Sequence, residues 1–358
     1  MIIEQSELRD AVGRCRRIIR TGYYDKLYSC IRMSWSQNEL IVKSLWEGQE
    51  VRTTVPCITT GTGDIALEPS KLHELVGTLR SGPVKIEIDQ PKFKIKIIQG
   101  TSKLSLQGLD PVEWIDWNPL VGAGSRVEWS HIAYVINNMS KILTRRDDTP
   151  IFNSLYIKID TSCGESVATD SNRLGIYKFP VDGQTNQELL IPVSMIKTIK
   201  SVFEMEEIVE IVSDNKFVMI STDKTSIKLV KLSTKYVNYS PFVEQTKVTR
   251  VIANTDELRR ILQQAMIYSK RSEEELGEPC LIKIDNNRIT VEVSNMMDSH
   301  IDVDHTGNPF DIRIMPYMTY EAIQPVRSEQ VELWAGDKYP ALAIEGDGLT
   351  YISMGLAK

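Results

Sequence analysis

A long-period repeat constrains this chain more than any other feature. In each third a proline opens a short helical stretch: Pro69 in LEPSKLHELVGTL, Pro192 in LIPVSMIKTIKSV and Pro316 in RIMPYMTYEAIQPV, at spacings of 123 and 124 residues. A lysine–aromatic pair follows each proline, at Lys92-Phe93, Lys216-Phe217 and Lys338-Tyr339, at spacings of 124 and 122. Two markers that share one period argue for a tandem triplication. The period exceeds the roughly 20–50 residues of a solenoid repeat and matches the about 100–150 of a whole domain. A chain of 358 residues holds three such units, placed at 1–122, 123–247 and 248–358.

Each unit opens on an amphipathic helix. Leu8, Val12, Cys15 and Ile19 form an apolar stripe at helical spacing, as do Ile132, Val135, Ile136 and Met139, and then Leu258, Ile261, Leu262 and Ala265. Asn254, Thr255 or Asp256 caps the third of these. Alternating strands follow. Segments 84–88 and 93–98 flank Asp89-Gln90-Pro91-Lys92 as a hairpin; 208–212 and 216–221 flank Ser213-Asp214-Asn215; 330–335 and 339–345 flank Gly336-Asp337. Segment 286–293 reads as a hairpin like 37–44. The expected fold is α+β, two short helices covering an antiparallel sheet in each unit. The expected joints are the glycine-rich 120–125 and the polar 244–250.

Apolar residues make up 42% and charged residues 25%, the balance of a globular protein with a buried core. No apolar run approaches the roughly 18 residues of a membrane helix, and the start MIIEQSELRD lacks the basic and apolar regions of a signal peptide. Five cysteines, Cys15, Cys30, Cys57, Cys163 and Cys280, are odd in number and form no CxxC. They read as reduced, mostly buried thiols of a cytoplasmic protein.

The net charge of −6 is unevenly spread. The six expected helical segments, 7–20, 69–82, 128–146, 192–202, 255–271 and 316–327, carry +3, +1, +2, +2, +2 and 0. That totals +10 and leaves −16 for everything else. Arg14, Arg17 and Arg20 lie opposite the first apolar stripe. Helices gathered on one side would make a positive surface, which attracts phosphate without reading base sequence. Solvated basic helix faces account for any one helix equally well.

No catalytic pattern is present: there is no GxSxG, HExxH or GxxxxGK[ST], and the pairs Gly61/Gly63 and Gly122/Gly124 lack a third glycine. Asp298, His300, Asp302 and Asp304 would share one strand face, with Ile301 and Val303 on the other. That pattern fits the solvent side of a half-buried strand better than a metal site. The sequence points to no cofactor.

Taken in order, these features resemble the bacterial DNA polymerase III beta subunit, the sliding-clamp family. Ala168-Thr-Asp-Ser-Asn-Arg-Leu174 resembles the family's Ala-Thr-Asp-Gly-His-Arg-Leu. Phe152-Asn153-Ser154 stands where the family has Leu-Asn-Gly, Lys103-Leu-Ser-Leu106 resembles its edge strand at the end of the first domain, and Tyr351-Ile-Ser-Met354 its C-terminal strand. The resemblance implies three clamp domains per chain and a head-to-tail homodimer closed into a ring. Double-stranded DNA passes through the ring, held without sequence preference. A clamp-loading enzyme and a DNA polymerase are the implied protein partners, docking through short linear motifs with Gln, Leu and Phe anchors. The chain itself would be non-catalytic.

Residue by residue, the resemblance implies DNA contacts from Arg14, Arg17, Arg20, Lys141, Arg145, Arg146, Lys197, Lys200, Arg260 and Arg271. It implies a peptide pocket of Phe152, Thr169, Asn172, Arg173, Leu174, Val237, Pro241, Phe242, Met315, Met318, Tyr339, Ala341, Ile352, Met354 and Leu356. The ring contact would use Leu104 and Leu106 of the edge strand against Ile267 and Tyr268 of the third-domain helix. Departures from the family pattern fall at Asn172 (commonly His), Val237 (usually Pro) and Pro241 (usually Arg). Two other readings stay open: a DNA-binding protein that does not form a ring, and a clamp carried by a phage or mobile element for its own polymerase.

Overall fold

The structure, a computed structural model, describes residues 1–19, 26–143, 149–204, 206–269, 277–336 and 340–356. Seven helices occur among these residues: α1 Gln5–Arg16, α2 Pro69–Gly77, α3 Trp129–Asn138, α4 Val193–Phe203, α5 Ser240–Gln245, α6 Thr255–Tyr268 and α7 Pro316–Ile323. The repeated prolines sit where they favour a helix start. Pro69 and Pro316 occupy the first position of α2 and α7, where a missing N–H costs nothing, and Pro192 immediately precedes α4. Glu68 accepts from the N–H groups of Ser70 and Lys71 at 2.8 and 2.7 Å, and Asn254 from those of Asp256 and Glu257 at 3.0 and 3.1 Å. Of the three capping candidates before α6, Asn254 is the one used. Helix α5, which lacks an amphipathic stripe, was not expected from the sequence.

The chain forms two compact units. The first holds 1–133 and 181–233, the second 134–180 and 234–358, so the middle third contributes to both. In the first unit a nine-stranded antiparallel sheet runs in the order Asp182–Gly183, Ser125–Glu128, Ile208–Ser213, Phe217–Ser221, Thr225–Val230, Gln49–Pro56, Glu39–Trp46, Ile31–Ser36, Gly63–Leu67. A four-stranded sheet in the order Ile2–Glu4, Pro83–Asp89, Lys94–Gln99, Ser102–Gln107 completes it. Helix α1 packs beside α2, where Gln5 donates to the Val76 carbonyl at 2.8 Å. Its buried apolar residues are Leu8, Ala11, Val12 and Cys15, and just past its end Ile18 is buried where the sequence pattern expected Ile19. The Cys15 thiol faces the carbonyls of Val42 and Val51, and burial pushes its pKa up to about 12, so it is an inert core group.

In the second unit the strands run Ser154–Ile159, Cys163–Thr169, Arg173–Pro180, Leu349–Met354, Ala341–Gly346, Gln330–Ala335, Thr249–Asn254, Asp304–Thr306. Its smaller sheet runs Met297–Asp302, Arg288–Val293, Cys280–Asp285, Phe310–Ile314. Helix α6 buries Leu258, Ile261, Leu262 and Ala265 beside Met318, Thr319, Ala322 and Ile323 of α7. The hairpins turn tightly because both central residues take positive φ, at Gln37-Asn38, Glu47-Gly48, Asn286-Asn287 and Asp347-Gly348. That geometry matches the strand twist. At Gly348 an added Cβ would come within 2.7 Å of the Lys178 carbonyl.

The two large sheets have the same plan. In the first, five strands of the middle third meet four of the first third across a central joint; in the second, three of the middle third meet five of the last. In the first unit the joint pairs Thr225–Val230 with Gln49–Pro56; in the second it pairs Leu349–Met354 with Arg173–Pro180. No helix among the described residues is long and apolar enough to cross a membrane.

Candidate peptide groove and basic surface

An apolar groove of about 240 Å³ opens at the joint of the second unit. Its floor is the cross-strand pair Leu174 and Ile352, both buried. Phe152, Thr169, Asn172, Arg173 and Met354 form its sides, and the segment carrying Val237 and Phe242 its outer wall. These nine belong to the pocket named from the sequence, and Ser171 and Tyr239 line it as well. Pro241 is exposed but outside the lining, as is Leu356. Met315, Met318 and Ala341 are buried core residues rather than wall. Tyr339 lies outside the described residues.

The outer wall is held by aromatic contacts. Tyr236 stacks on Tyr156 with ring centroids 4.7 Å apart and planes within 4°. The Tyr239 hydroxyl donates to the Glu165 carboxylate, and burial together with that carboxylate pushes the phenol well above its ordinary range. Tyr239 therefore remains a neutral donor at any physiological pH. Phe242, half exposed at 52%, presents an apolar ring that nothing in its own unit covers completely.

Arg173 is committed rather than available to a ligand. Its guanidinium pairs with Asp170 at 2.9 Å and Glu321 at 2.7 Å, lies 3.4 Å from the Tyr351 hydroxyl, and donates to the carbonyls of Lys141 and Ile142 at 3.4 and 3.5 Å. Only a tenth of its side chain is exposed. The turn Met139–Lys141 that it caps sits hard against the strand, because position 175 is glycine: a Cβ there would lie 2.4 Å from Ile142 and 2.9 Å from Met139. The groove thus has an apolar lining and no free charge at its floor.

The expected DNA-contacting cations are in mixed situations. Arg17, Lys141, Lys197 and Arg260 are exposed, and Lys200 is half-buried. Arg14 instead spends its charge inside the first unit, on Glu206 at 2.6 Å, with Thr225 Oγ1 at 3.1 Å. Arg20, Arg145, Arg146 and Arg271 lie outside the described residues. The charge partition by element is also less uniform than the sequence suggested. Segment 83–107, mostly strand, carries five lysines against Glu87 and Asp89, with Lys85, Lys94 and Lys103 exposed.

Of the residues expected at a ring contact, Ile267 and Tyr268 are exposed at 57% and 46% on the last turn of α6. Ser102–Gln107 is an edge strand, paired among the described residues only with Lys94–Gln99. Leu104 on it is half-buried, and Leu106 is core. Met297–Asp302 is likewise an edge of its sheet, with Asp298, His300 and Asp302 exposed and Ile301 buried. That alternation matches the half-buried strand read from the sequence, although the strand ends at Asp302 and resumes at Asp304.

No family model matches the chain. Among curated proteins, it is 22% identical to the beta sliding clamp of Bacillus subtilis over 287 residues, 76% of this chain and 73% of the relative. Among solved structures, it superposes on the DNA polymerase III subunit beta of Pseudomonas aeruginosa with a TM-score of 0.87 at 15% identity, covering 100% of both chains. The beta subunit of the Streptococcus pyogenes DNA polymerase gives a TM-score of 0.86 at 17% identity over 100% of this chain and 99% of that one. Along its whole length, then, this chain has the fold of the DNA polymerase III beta subunits.

Proposed function

We propose that this chain is a sliding clamp, a non-catalytic processivity factor that closes around duplex DNA as a head-to-tail homodimer and tethers a DNA polymerase. The observation that carries the reading is a full-length fold shared with the beta subunits, together with sequence similarity to beta sliding clamps. Three clamp domains, 1–122, 123–247 and 248–358, would make a ring of six from two chains. Its place of action is the DNA of the cytoplasm.

The mechanism follows from weak contacts and closure. Exposed cations such as Arg17, Lys141, Lys197 and Arg260 offer phosphate contacts that are individually screened and independent of base sequence. Each can break while the closed ring stays threaded, so the protein slides without leaving. The ring contact would bring the edge strand Ser102–Gln107 of one chain to the edge Met297–Asp302 of the next, Lys103 complementing Asp298 and Asp302. Ile267 and Tyr268 would be covered beside them. The groove at Leu174 and Ile352 would take an apolar peptide segment from the polymerase and the clamp loader.

Small-angle X-ray scattering of the purified protein tests the architecture. A mass near twice 40.7 kDa with the profile of a hollow ring is expected. A monomer would remove topological tethering and favour a DNA-binding protein that does not form a ring.

A further inference from the structure

A row of like charges crosses one face of the first large sheet. Arg32, Lys43 and Arg52 stand side by side on the strands Ile31–Ser36, Glu39–Trp46 and Gln49–Pro56, Arg32 in register with Lys43 and Lys43 with Arg52. Ser226 continues the row across the joint as the register partner of Arg52. All four are half-buried, whereas their strand neighbours Met33, Val42, Val51 and Ile227 point the other way into the core. Like charges directly opposite one another in a sheet destabilise it unless opposite charges intervene.

The protein supplies such charges to two of the three cations. Asp64 lies 2.6 Å from Arg32, and Asp116 lies 2.6 Å from Arg32 and 2.7 Å from Lys43. The Arg52 side chain has no ion pair or hydrogen bond among the described residues. Glu50, two residues before it on the same face, accepts the Trp117 N–H at 3.3 Å and is the register partner of Lys228. Repetition does not account for Arg52. The equivalent register pair in the second unit, 124 residues on, is Ile176 and Thr350, with Ile176 buried in the core.

Arg52 lines a cavity of about 230 Å³. Thr54, two residues on along the same strand face, and Ser226, on the far side of the joint, line it too, and neither hydroxyl is engaged among the described residues. Lys224 adds a second cation, 3.2 Å from Glu7. Asp223 also lines the cavity but is exposed and forms no ion pair among the described residues. A guanidinium presents paired N–H groups to two oxygens of one anion, and hydroxyls can donate to the remaining ones. Donors on two strands suit a tetrahedral oxyanion better than a planar carboxylate. The volume lies below the roughly 300–1,000 Å³ of a pocket for a drug-sized ligand, so it suits a small ion or group.

We propose that Arg52, Thr54 and Ser226 form a binding site for a small phosphate, as the free ion or as a monoester. The site is separate from the apolar groove of the second unit and does not rest on the docking role of that groove.

Isothermal titration of inorganic phosphate into the full-length protein at constant ionic strength tests the site, with Arg52→Gln as the variant and the exposed Lys94→Gln as a control. One equivalent is expected for wild type and control, with at least tenfold weaker uptake by Arg52→Gln. No saturable uptake by the wild type, or wild-type affinity in Arg52→Gln, would overturn the proposal. O-phosphoserine and succinate are titrated in the same way. Tighter uptake of O-phosphoserine than of phosphate assigns the site to a monoester, and the reverse order assigns it to the free ion. Succinate bound as tightly as phosphate would overturn the tetrahedral assignment. Urea unfolding separates a ligand site from a structural arginine. In chloride alone Arg52→Gln should unfold at or above the wild-type midpoint, because it relieves an unmatched like charge. Added phosphate should raise the midpoint of wild type and control but not of Arg52→Gln. A midpoint for Arg52→Gln clearly below wild type in chloride would show that Arg52 holds the fold instead.

Discussion

Glu50 and Lys228 face each other across the joint of the first large sheet, in the register that Leu174 and Ile352 occupy in the second. One internal repeat has therefore kept a backbone plan while exchanging an apolar pair for a charged one. The first consequence concerns stability. Trp114, 7% exposed, anchors the segment 111–120 in the core of the first unit among Leu27, Cys30, Leu45 and Ala66. Trp114→Ala is expected to cost about 3–5 kcal/mol, the range for emptying a buried aromatic site. Urea unfolding of the variant gives that number directly.

The open groove makes the converse prediction. Phe242 is half exposed and contributes mainly to the wall, so Phe242→Ala should leave the melting temperature within a degree or two of wild type. Loss of a central aromatic contact should weaken binding of a synthetic pentapeptide, Gln-Leu-Ala-Leu-Phe, by about 1–2 kcal/mol, roughly five- to thirtyfold. A binding isotherm beside a thermal melt separates the two effects.

The exposed pair on α6 is predicted to be a chain–chain contact. Ile267→Glu places a charge where an apolar surface would be covered, and should yield a species of about half the wild-type mass in light scattering. A variant that keeps the wild-type mass would sink this use of α6.

Basic residues on the helices should act collectively. Neutralising any one of Arg17, Lys141, Lys197 or Arg260 should alter retention on DNA only slightly, because each is one screened contact among many. Replacing all four should shorten the lifetime on nicked circular DNA markedly and flatten its salt dependence. A single substitution that abolishes retention would contradict a distributed surface.

Asp116 gives a pH dependence. Burial works against its charged form, but Lys43 and Arg32 together outweigh that and hold the carboxyl below its ordinary range. A lowered folded-state pKa stabilises above the unfolded value, about 3.9, and that stabilisation is lost as pH falls through the folded one. Wild type and Asp116→Asn should thus differ by up to about 1 kcal/mol at pH 7, the scale of a partly exposed pair. The difference should shrink steadily from pH 5 towards pH 3 in chemical denaturation.

Much of this architecture is written in residues whose chemistry is local. The prolines mark α2, α4 and α7 because proline suits a helix start, and the apolar stripe of α6 falls on the residues that are buried. Thr169, Asn172, Arg173 and Leu174, which line the groove, lie in the Ala168–Leu174 segment that carries the resemblance. What stayed hidden depends on tertiary pairing. Nothing near Arg14 in sequence announces Glu206, and Leu106 reads equally well as edge or core. Met315, Met318 and Ala341 look like pocket residues until packing turns them inward. The aromatic-x-x-aromatic-x-Pro pattern shared by Trp114–Pro119 and Tyr236–Pro241 was available as a signal.

The shared sheets also set how this chain can be divided. The sequence repeats in thirds, but each central joint takes one strand from each of two thirds. A fragment ending near residue 120 would keep Gln49–Pro56 and lose Thr225–Val230, leaving a bare row of backbone donors and acceptors along its flank. Such an edge recruits other strands indiscriminately. The unit that was copied in this gene is therefore not one that could safely be released alone, and a nascent chain must hold its first third unfinished until residues beyond 225 have been synthesised.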